Sequence, residues 1–216
     1  MSRTRFEAMT TEELIKAIAS PSPTPGGGTV GALCGALSAA LSAMVASLTT
    51  GKDKYRDLEP RMREIVEEAG NLSKRLLDLM EEDARAFDAV MEAYRLPKGT
   101  EEERAKRKEA IERALRGACE PPMEVLRLSR KLVELASEVE MKGNKNAITD
   151  AAAAAACARA AAEIAFLNAL VNLNGLSDEA LKSEIASEGQ RLLREVERES
   201  RETFEDVLEY LMPEGD

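Results

Sequence analysis

One carboxylate in this 216-residue sequence, Asp83, occupies a position where an apolar side chain is expected. Apolar residues around it recur every three or four positions, which is the spacing of one face of an α-helix. They are Met62, Ile65, Ala69, Leu72, Leu76, Met80, Phe87, Val90 and Tyr94. A carboxylate on that face is costly unless it is paired or its pKa rises. Asp83 is therefore either a buried structural group or one that exchanges protons or balances a cationic ligand.

The sequence contains no histidine, the side chain that most often transfers protons in enzymes, and this makes Asp83 a stronger candidate for that role. Ser-His-Asp and Cys-His catalysis and His-ligated metal sites are excluded. The three cysteines, Cys34, Cys119 and Cys157, have no CxxC spacing, and we interpret them as small buried residues in a reducing compartment. We predict no metal site, and acid–base chemistry falls to carboxylates, lysines, tyrosines or backbone dipoles.

A second chemical feature is a glycine run that begins at Gly26, directly after Pro-Ser-Pro-Thr-Pro. Gly26, Gly28 and Gly31 match G-x-G-x-x-G, but a dinucleotide site also needs a preceding strand, which this proline-rich segment does not supply. Glycines at a helix start expose backbone N–H groups that attract an anion or a polarised oxygen. The run is either a flexible loop that lets helices approach closely or a stiffened turn that holds a ligand.

Five further polar residues are of interest, and a structural interpretation is available for each. Lys52 and Tyr55 belong either to a solvated turn or to an anion-binding site at the mouth of a cleft. Asp150 falls in the first turn of an Ala-rich helix, where a carboxylate offsets the helix dipole. Asn168 and Asn172 are four residues apart, so their amides share a helix face and either pack there or bind a heterocycle.

Composition and charge limit the classes of partner. The net charge is −10 and no long Lys/Arg run is present, so we predict no nucleic-acid binding. Residues 28–50 are uncharged and long enough to span a bilayer. Their larger apolar residues form a single helical stripe among small residues, which favours a central bundle helix, and we predict no membrane span. The stripe consists of Val30, Leu33, Leu37, Leu41, Met44 and Leu48.

The sequence predicts an all-α fold, a bundle of about six or seven helices that forms one domain over residues 1–216. Aromatic residues are only 3%, and no segment alternates as a strand would. Predicted helices cover Thr10 to before Pro21, Gly28 to about Thr50, Asp57 to Leu96, Thr100 to a break or kink at Gly117 and Pro121-Pro122, Met123 to about Met141, Asn146 to Leu173, and Ser177, as cap, to about Leu211. The two small-residue helices are expected to pack on each other or across a dimer.

Taken in order, these motifs resemble the formiminotetrahydrofolate cyclodeaminase and methenyltetrahydrofolate cyclohydrolase family. The similarity covers nearly the whole chain, and the ordered combination is more specific than any single block. The similar blocks are Ser22 to Val30, Met44 to Lys52 with Tyr55, Asp83 to Phe87 with Val90-Met91, Leu96-Pro97, Gly143-Asn144, Thr149-Asp150 and Asn168 to Leu173. The departure is mild: Thr149 stands where the family often has serine.

The resemblance implies a cytoplasmic all-α homodimer with a folate cleft between the glycine loop and the longest helix. It implies a tetrahydrofolate derivative as substrate and no cofactor. Asp83 corresponds to the family's catalytic aspartate. The substrate-binding residues that we expect are Gly26, Gly27, Gly28, Lys52, Tyr55, Phe87, Asn144, Asp150, Asn168 and Asn172.

Three functions stay open at this point. We favour cyclohydrolysis, in which water adds to the cationic methenyl carbon and the ring opens to 10-formyltetrahydrofolate. In cyclodeamination, folate N10 attacks the formimino carbon and ammonia leaves. Both reactions need a carboxylate that stabilises an amidinium-like cation and moves one proton. The third function is a non-catalytic helical folate-binding or interaction protein that keeps the scaffold.

Overall fold

The computed structural model describes residues 5–212 of the chain, and this part confirms the all-α prediction. It contains six α-helices: α1 (Thr11–Ile18), α2 (Gly27–Thr49), α3 (Glu59–Arg95), α4 (Glu101–Lys142), α5 (Ile148–Leu173) and α6 (Glu179–Leu211). Short 3-10 turns occupy Phe6–Ala8, Asp53–Leu58 and Lys145–Ala147, and residues 5–212 contain no strand.

Helix boundaries follow local capping signals. Thr10 and Thr100 each form a complete capping box: the side chain accepts from a backbone N–H three residues on, and the glutamate there bonds back to the cap. Gly51, with a φ of 72°, lies just beyond the end of α2, in a conformation that glycine adopts at little cost. These three boundaries agree with the predicted ones.

The predicted cap of the last helix is wrong by one residue. Asp178, not Ser177, is the N-cap of α6, and its carboxylate accepts from the Leu181 N–H at 3.1 Å. The backbone N–H of Ser177 instead donates to the carboxylate of Glu112 on α4 at 3.0 Å. Both residue types are good caps, so a tertiary contact decides between them.

At Gly117 and Pro121-Pro122 the sequence predicts a break or a kink, and the break is wrong, because α4 continues through both prolines. A proline lacks the N–H that would bond to the carbonyl four residues earlier, so Pro121 and Pro122 leave the carbonyls of Gly117 and Ala118 without helical donors. The Asn172 side chain on α5 donates to the Ala118 carbonyl at 2.7 Å. Gly117 is exposed to solvent. The helix therefore survives because tertiary contact and solvent replace the missing bonds.

Helices α2 and α5 pack directly against each other, as predicted from their small residues. They run antiparallel, since Gly27 faces Asn168 and Gly31 faces Ile164. The approach is close: a Cβ at Gly31 would lie 3.0 Å from Ile164 Cγ2. Helices α3, α4 and α6 pack around this pair. The buried faces of α2 and α5 consist mainly of Gly, Ala and Ser.

Only part of the larger apolar stripe of α2 faces the core: Leu33 and Leu41 are half-buried and pack against it. Leu37, Met44 and Leu48 are 50%, 39% and 45% exposed. The small-residue face is buried instead, because it allows the shortest distances between helix axes. On α5, Leu167 and Val171 are also exposed. We call these five exposed residues the outer apolar face.

Two segments are long and apolar enough to cross a membrane, judged by length and composition alone. They are Gly27–Thr49 and Lys145–Leu173, with mean hydropathy of 1.8 and 1.5. In the bundle, 56% and 44% of the most apolar 18-residue stretch of the two segments is buried. Core helices of soluble bundles meet the same criteria, so the two segments do not by themselves indicate a membrane protein.

Candidate functional site

The glycine loop, α3, α4 and the C-terminal half of α5 enclose a cleft of about 390 Å³. Its polar side chains include Asp83, Asn168 and Asn172, and its glycines are those of the run at the start of α2. The apolar wall comes from Phe87, Val90, Met91 and Tyr94 on α3 and Leu115 on α4. A few polar groups on a largely apolar surface are typical of a small-molecule site.

The carboxylate of Asp83 lies against the N-terminus of α2, where Gly28 leaves room for it. A Cβ built on Gly28 would lie 2.1 Å from Asp83 Oδ1 and 2.4 Å from Oδ2, so only glycine permits this approach. The backbone N–H of Thr29 donates to the Asp83 carboxylate. Gly26, the N-cap of α2, has no side chain to accept that bond. Asp83 therefore caps α2 from a neighbouring helix.

Two opposing effects set the pKa of Asp83. Burial in the cleft raises the pKa to about 6, and the hydrogen bond from the Thr29 N–H opposes that rise. Asp83 forms no ion pair with any residue in 5–212. At neutral pH it is thus mainly an uncompensated carboxylate, suited to a cationic ligand and able to take up a proton.

The two predicted asparagines both reach the cleft, and both amides are held by backbone carbonyls. Asn168 Nδ2 donates to the Ile164 carbonyl at 2.8 Å, one turn back on α5. Asn172 Nδ2 donates to the Ala118 carbonyl on α4. Each nitrogen thus has a protein partner, and the amides are fixed rather than free to rotate.

The cleft brings together seven of the predicted site residues, together with some that sequence reasoning missed. The predicted ones are Asp83, Gly26, Gly27, Gly28, Phe87, Asn168 and Asn172. Tyr94 belonged to the apolar stripe of the long helix but was not assigned to the site. Leu115 and Ala118 on α4 were missed because that helix was expected to break nearby, and nothing in its pattern indicates a cleft wall.

The other four predicted site residues lie at the opposite end of the bundle. Lys52 and Tyr55 follow the C-terminus of α2, whereas the cleft lies at its N-terminus. A helix of 23 residues is about 35 Å long, so one chain does not bring both groups into one cleft. Because α5 is antiparallel to α2, Asp150 in its first turn also lies at the far end.

Asn144 has a structural role at that far end. Its backbone N–H donates to Thr49 Oγ1 at 2.8 Å, and its side-chain Nδ2 donates to the Leu48 carbonyl at 3.1 Å. Its side chain also accepts from the Asn146 N–H. Asn144 is buried and ties the end of α2 to the turn before α5. Asn144 therefore lies far from the cleft of its own chain, and its contact with the substrate stays a prediction.

Comparison with known proteins gives one family. The family model described as formiminotransferase-cyclodeaminase matches residues 10–191. A methenyltetrahydrofolate cyclohydrolase of Methylorubrum extorquens is 41% identical over 198 residues, which cover 92% of this chain and 95% of the relative. The formimidoyltransferase-cyclodeaminase of Mus musculus is 32% identical over 86% of this chain. The chain spans 34% of the mouse protein's length.

The fold has a close counterpart among solved structures. The crystal structure of formiminotetrahydrofolate cyclodeaminase from Thermotoga maritima matches with a TM-score of 0.83 and 33% sequence identity. The match covers 94% of this chain and 98% of the other. The helical architecture is therefore shared over almost the full length of both chains.

Gly28→Ala tests the close approach of Asp83 to α2. The new methyl group would displace the carboxylate from the Thr29 N–H, and we expect a loss of about 1–3 kcal/mol in the free energy of unfolding, measured by urea denaturation. The matched control is Gly70→Ala on α3, where a Cβ meets nothing within 4 Å. The control should be neutral or stabilising by up to about 1 kcal/mol. Equal stability of the two variants would contradict the geometry.

Proposed function

This chain belongs to the formiminotransferase-cyclodeaminase family, and we propose that it is a methenyltetrahydrofolate cyclohydrolase. The reaction converts 5,10-methenyltetrahydrofolate and water to 10-formyltetrahydrofolate. The observation that carries this proposal is the Asp83 carboxylate, which faces the cleft without an ion-pair partner in residues 5–212 and has a pKa of about 6. The substrate supplies the missing positive charge. The relative from Methylorubrum extorquens, which carries this name and matches along nearly its full length, supports the choice.

Asp83 serves the reaction first as a counter-ion and then as a proton carrier. The substrate is an amidinium cation whose charge is shared between N5 and N10, and a buried carboxylate beside it lowers the energy of that cation. Water adds to the carbon between the nitrogens and gives one proton to Asp83. Asp83 then protonates N5 as the bond from carbon to N5 breaks. The carbinol hydroxyl loses its remaining proton to solvent, which leaves the 10-formyl group.

The walls of the cleft supply binding and exclude bulk water. Phe87 and Tyr94 on α3 offer aromatic surface to the flat rings of the substrate. The glycines 26–28 let the ligand approach the backbone at the start of α2. Asn168 and Asn172 supply polar contacts on the opposite side, from α5. In this proposal the chain's own residues carry out the chemistry, without a cofactor.

Cyclodeamination is the second candidate, because the solved Thermotoga maritima structure, 33% identical to this chain, is named for that activity. The same site fits its chemistry. Attack of N10 on the formimino carbon forms the ring, and Asp83 in its protonated form gives a proton to the departing ammonia. A folate-binding protein without catalytic activity is the remaining alternative, and it predicts binding of a reduced folate with no turnover of either substrate.

We further propose that the chain acts as a cytoplasmic homodimer that requires neither membrane nor nucleic acid. The outer apolar face gives the reason, since Leu37, Met44 and Leu48 on α2 and Leu167 and Val171 on α5 are large apolar side chains left exposed on the two packed helices. Several large apolar side chains exposed on neighbouring helices are typical of an interaction site. Val171 also lines the cleft, so a partner on this face would lie next to the site.

A two-fold axis perpendicular to α2 would also account for the residues at the far end of the bundle. Such an axis places the C-terminus of one α2 beside the N-terminus of the other. Lys52 and Tyr55 of one subunit would then approach the cleft of its partner, where a lysine suits the glutamate tail of folate. We propose that Asp150, which lies at the same end of the bundle as Lys52 and Tyr55, also approaches the cleft of the partner.

Asp83→Asn tests the proposed reaction. We expect kcat for methenyltetrahydrofolate hydrolysis, followed by loss of substrate absorbance, to fall at least about 100-fold, because the amide neither accepts the proton nor neutralises the cation. The control is Asp88→Asn, an exposed carboxylate on the same helix, which should stay within about 2-fold of wild type. Undiminished turnover in Asp83→Asn would exclude catalysis by this residue. Ammonia release from 5-formiminotetrahydrofolate, without hydrolysis, would establish cyclodeamination instead.

Leu37→Glu tests the proposed dimer. A charge in the middle of the outer apolar face is expected to shift the wild-type dimer to monomer in sedimentation velocity, because the carboxylate loses its water on association. Ile15→Glu on α1 places the same charge at another exposed apolar position and should leave the dimer intact. A monomeric wild-type protein would exclude the arrangement.

A further inference from the structure

The Ala118 carbonyl links an unusual feature of α4 to the cleft. Pro122 has no N–H to give to the carbonyl four residues earlier, so the backbone ladder of α4 leaves Ala118 oxygen without its donor. The Asn172 Nδ2 atom on α5 supplies that hydrogen bond at 2.7 Å. Ala118 is buried and both residues line the cleft, so the bond forms at the wall of the site.

This bond fixes how the Asn172 amide is turned. An asparagine side chain presents an acceptor oxygen or a donor NH₂ group, according to how the amide is turned. Because one N–H of Nδ2 is held by Ala118, the amide is turned so that Oδ1 is its acceptor end, and within residues 5–212 Oδ1 accepts no hydrogen bond. Asn168, one turn back, likewise commits its Nδ2 to a backbone carbonyl.

We infer that Asn172 determines specificity by accepting a hydrogen bond from the N–H edge of the ligand's reduced pterin ring, and that Pro122 positions it. The inference rests on the proposed function for the identity of the ligand. The Oδ1 atoms of Asn168 and Asn172 are two acceptors one helical turn apart. They favour a ring edge that carries N–H donors and disfavour an edge that carries acceptors. The two neighbouring prolines of α4 have different roles in this inference, because only Pro122 frees the carbonyl that holds Asn172.

Pro121 provides an internal comparison for Pro122. It frees the carbonyl of Gly117, which is on the exposed side of α4 and receives no side-chain donor within the described residues. Replacing either proline by alanine restores one N–H to the helix ladder. At position 122 this N–H competes with Asn172 for the Ala118 carbonyl, and the amide loses the contact that holds its orientation. At position 121 the new N–H meets only Gly117.

The experiment measures KM and kcat for methenyltetrahydrofolate, and the Kd of the stable reduced folate 5-formyltetrahydrofolate by calorimetry. Asn172→Leu should raise KM and Kd about 10-fold or more, with kcat within about 3-fold, because a binding contact is lost and Asp83 is untouched. Pro122→Ala should raise both KM and Kd by several-fold without lowering Tm. Pro121→Ala should leave KM, Kd and Tm near their wild-type values.

A double variant separates binding from folding. Asn172→Leu alone leaves the buried Ala118 carbonyl unpaired, so Tm should fall. Adding Pro122→Ala gives that carbonyl a helical donor, and Tm should recover while Kd stays weak. Unchanged Kd in Asn172→Leu would overturn the acceptor role, and equal effects of Pro121→Ala and Pro122→Ala would overturn the positioning role.

The outcomes also distinguish this inference from the proposed function. A protein that shows no cyclohydrolase turnover, yet binds 5-formyltetrahydrofolate with the variant pattern described, would keep the inference and reject the proposed reaction. Normal turnover with Kd unaffected by all three single substitutions would reject the inference and keep the proposed reaction. A wild-type protein that binds no reduced folate would overturn both.

Discussion

The contact between the Asp83 carboxylate and the first turn of α2 constrains most of this structure. The carboxylate occupies the space where any side chain at Gly28 would lie, and it accepts from the Thr29 N–H. One group thereby caps a helix and carries a negative charge into an apolar cleft. The two roles oppose each other in the pKa, since burial raises it and the helix N–H lowers it. The resulting value of about 6 leaves Asp83 ionised but exchangeable near neutral pH.

Two features of the other helices hold this contact in place: the close approach of α2 and α5, and the continuity of α4 through two prolines. Small residues let α2 and α5 approach closely, which puts Asn168 beside Gly27, and Leu37, Met44 and Leu48 of α2 stay on the outside. That outer face is the reason for proposing a dimer. On the other wall, α4 accommodates two prolines because Asn172 bonds to the carbonyl that Pro122 frees. The site thus takes its polar groups from positions where a helix lacks its own hydrogen-bonding partners.

The sequence predicted the elements of this fold better than it predicted their contacts. Periodicity and capping residues indicated the helices, and the misfit of Asp83 in an apolar stripe indicated the site. The continuity of α4 was not predictable, since it depends on an amide 54 residues away along the chain. Nor did the pattern show which face of α2 is buried, because small residues favour close packing more than large ones favour burial. The resemblance grouped Lys52 with Asp83, although the length of α2 separates them within one chain.

The pH dependence of kcat/KM for methenyltetrahydrofolate hydrolysis tests the central claim most directly, because it reports the ionisation of the free enzyme. Asp83 must be ionised to accept a proton, and its pKa is raised to about 6. After subtraction of the uncatalysed rate, kcat/KM should therefore rise through a midpoint near pH 6 and level off above pH 7. At pH 5 it should be about one tenth of the plateau. A profile that stays flat from pH 5 to pH 8 would contradict the assignment of proton transfer to Asp83.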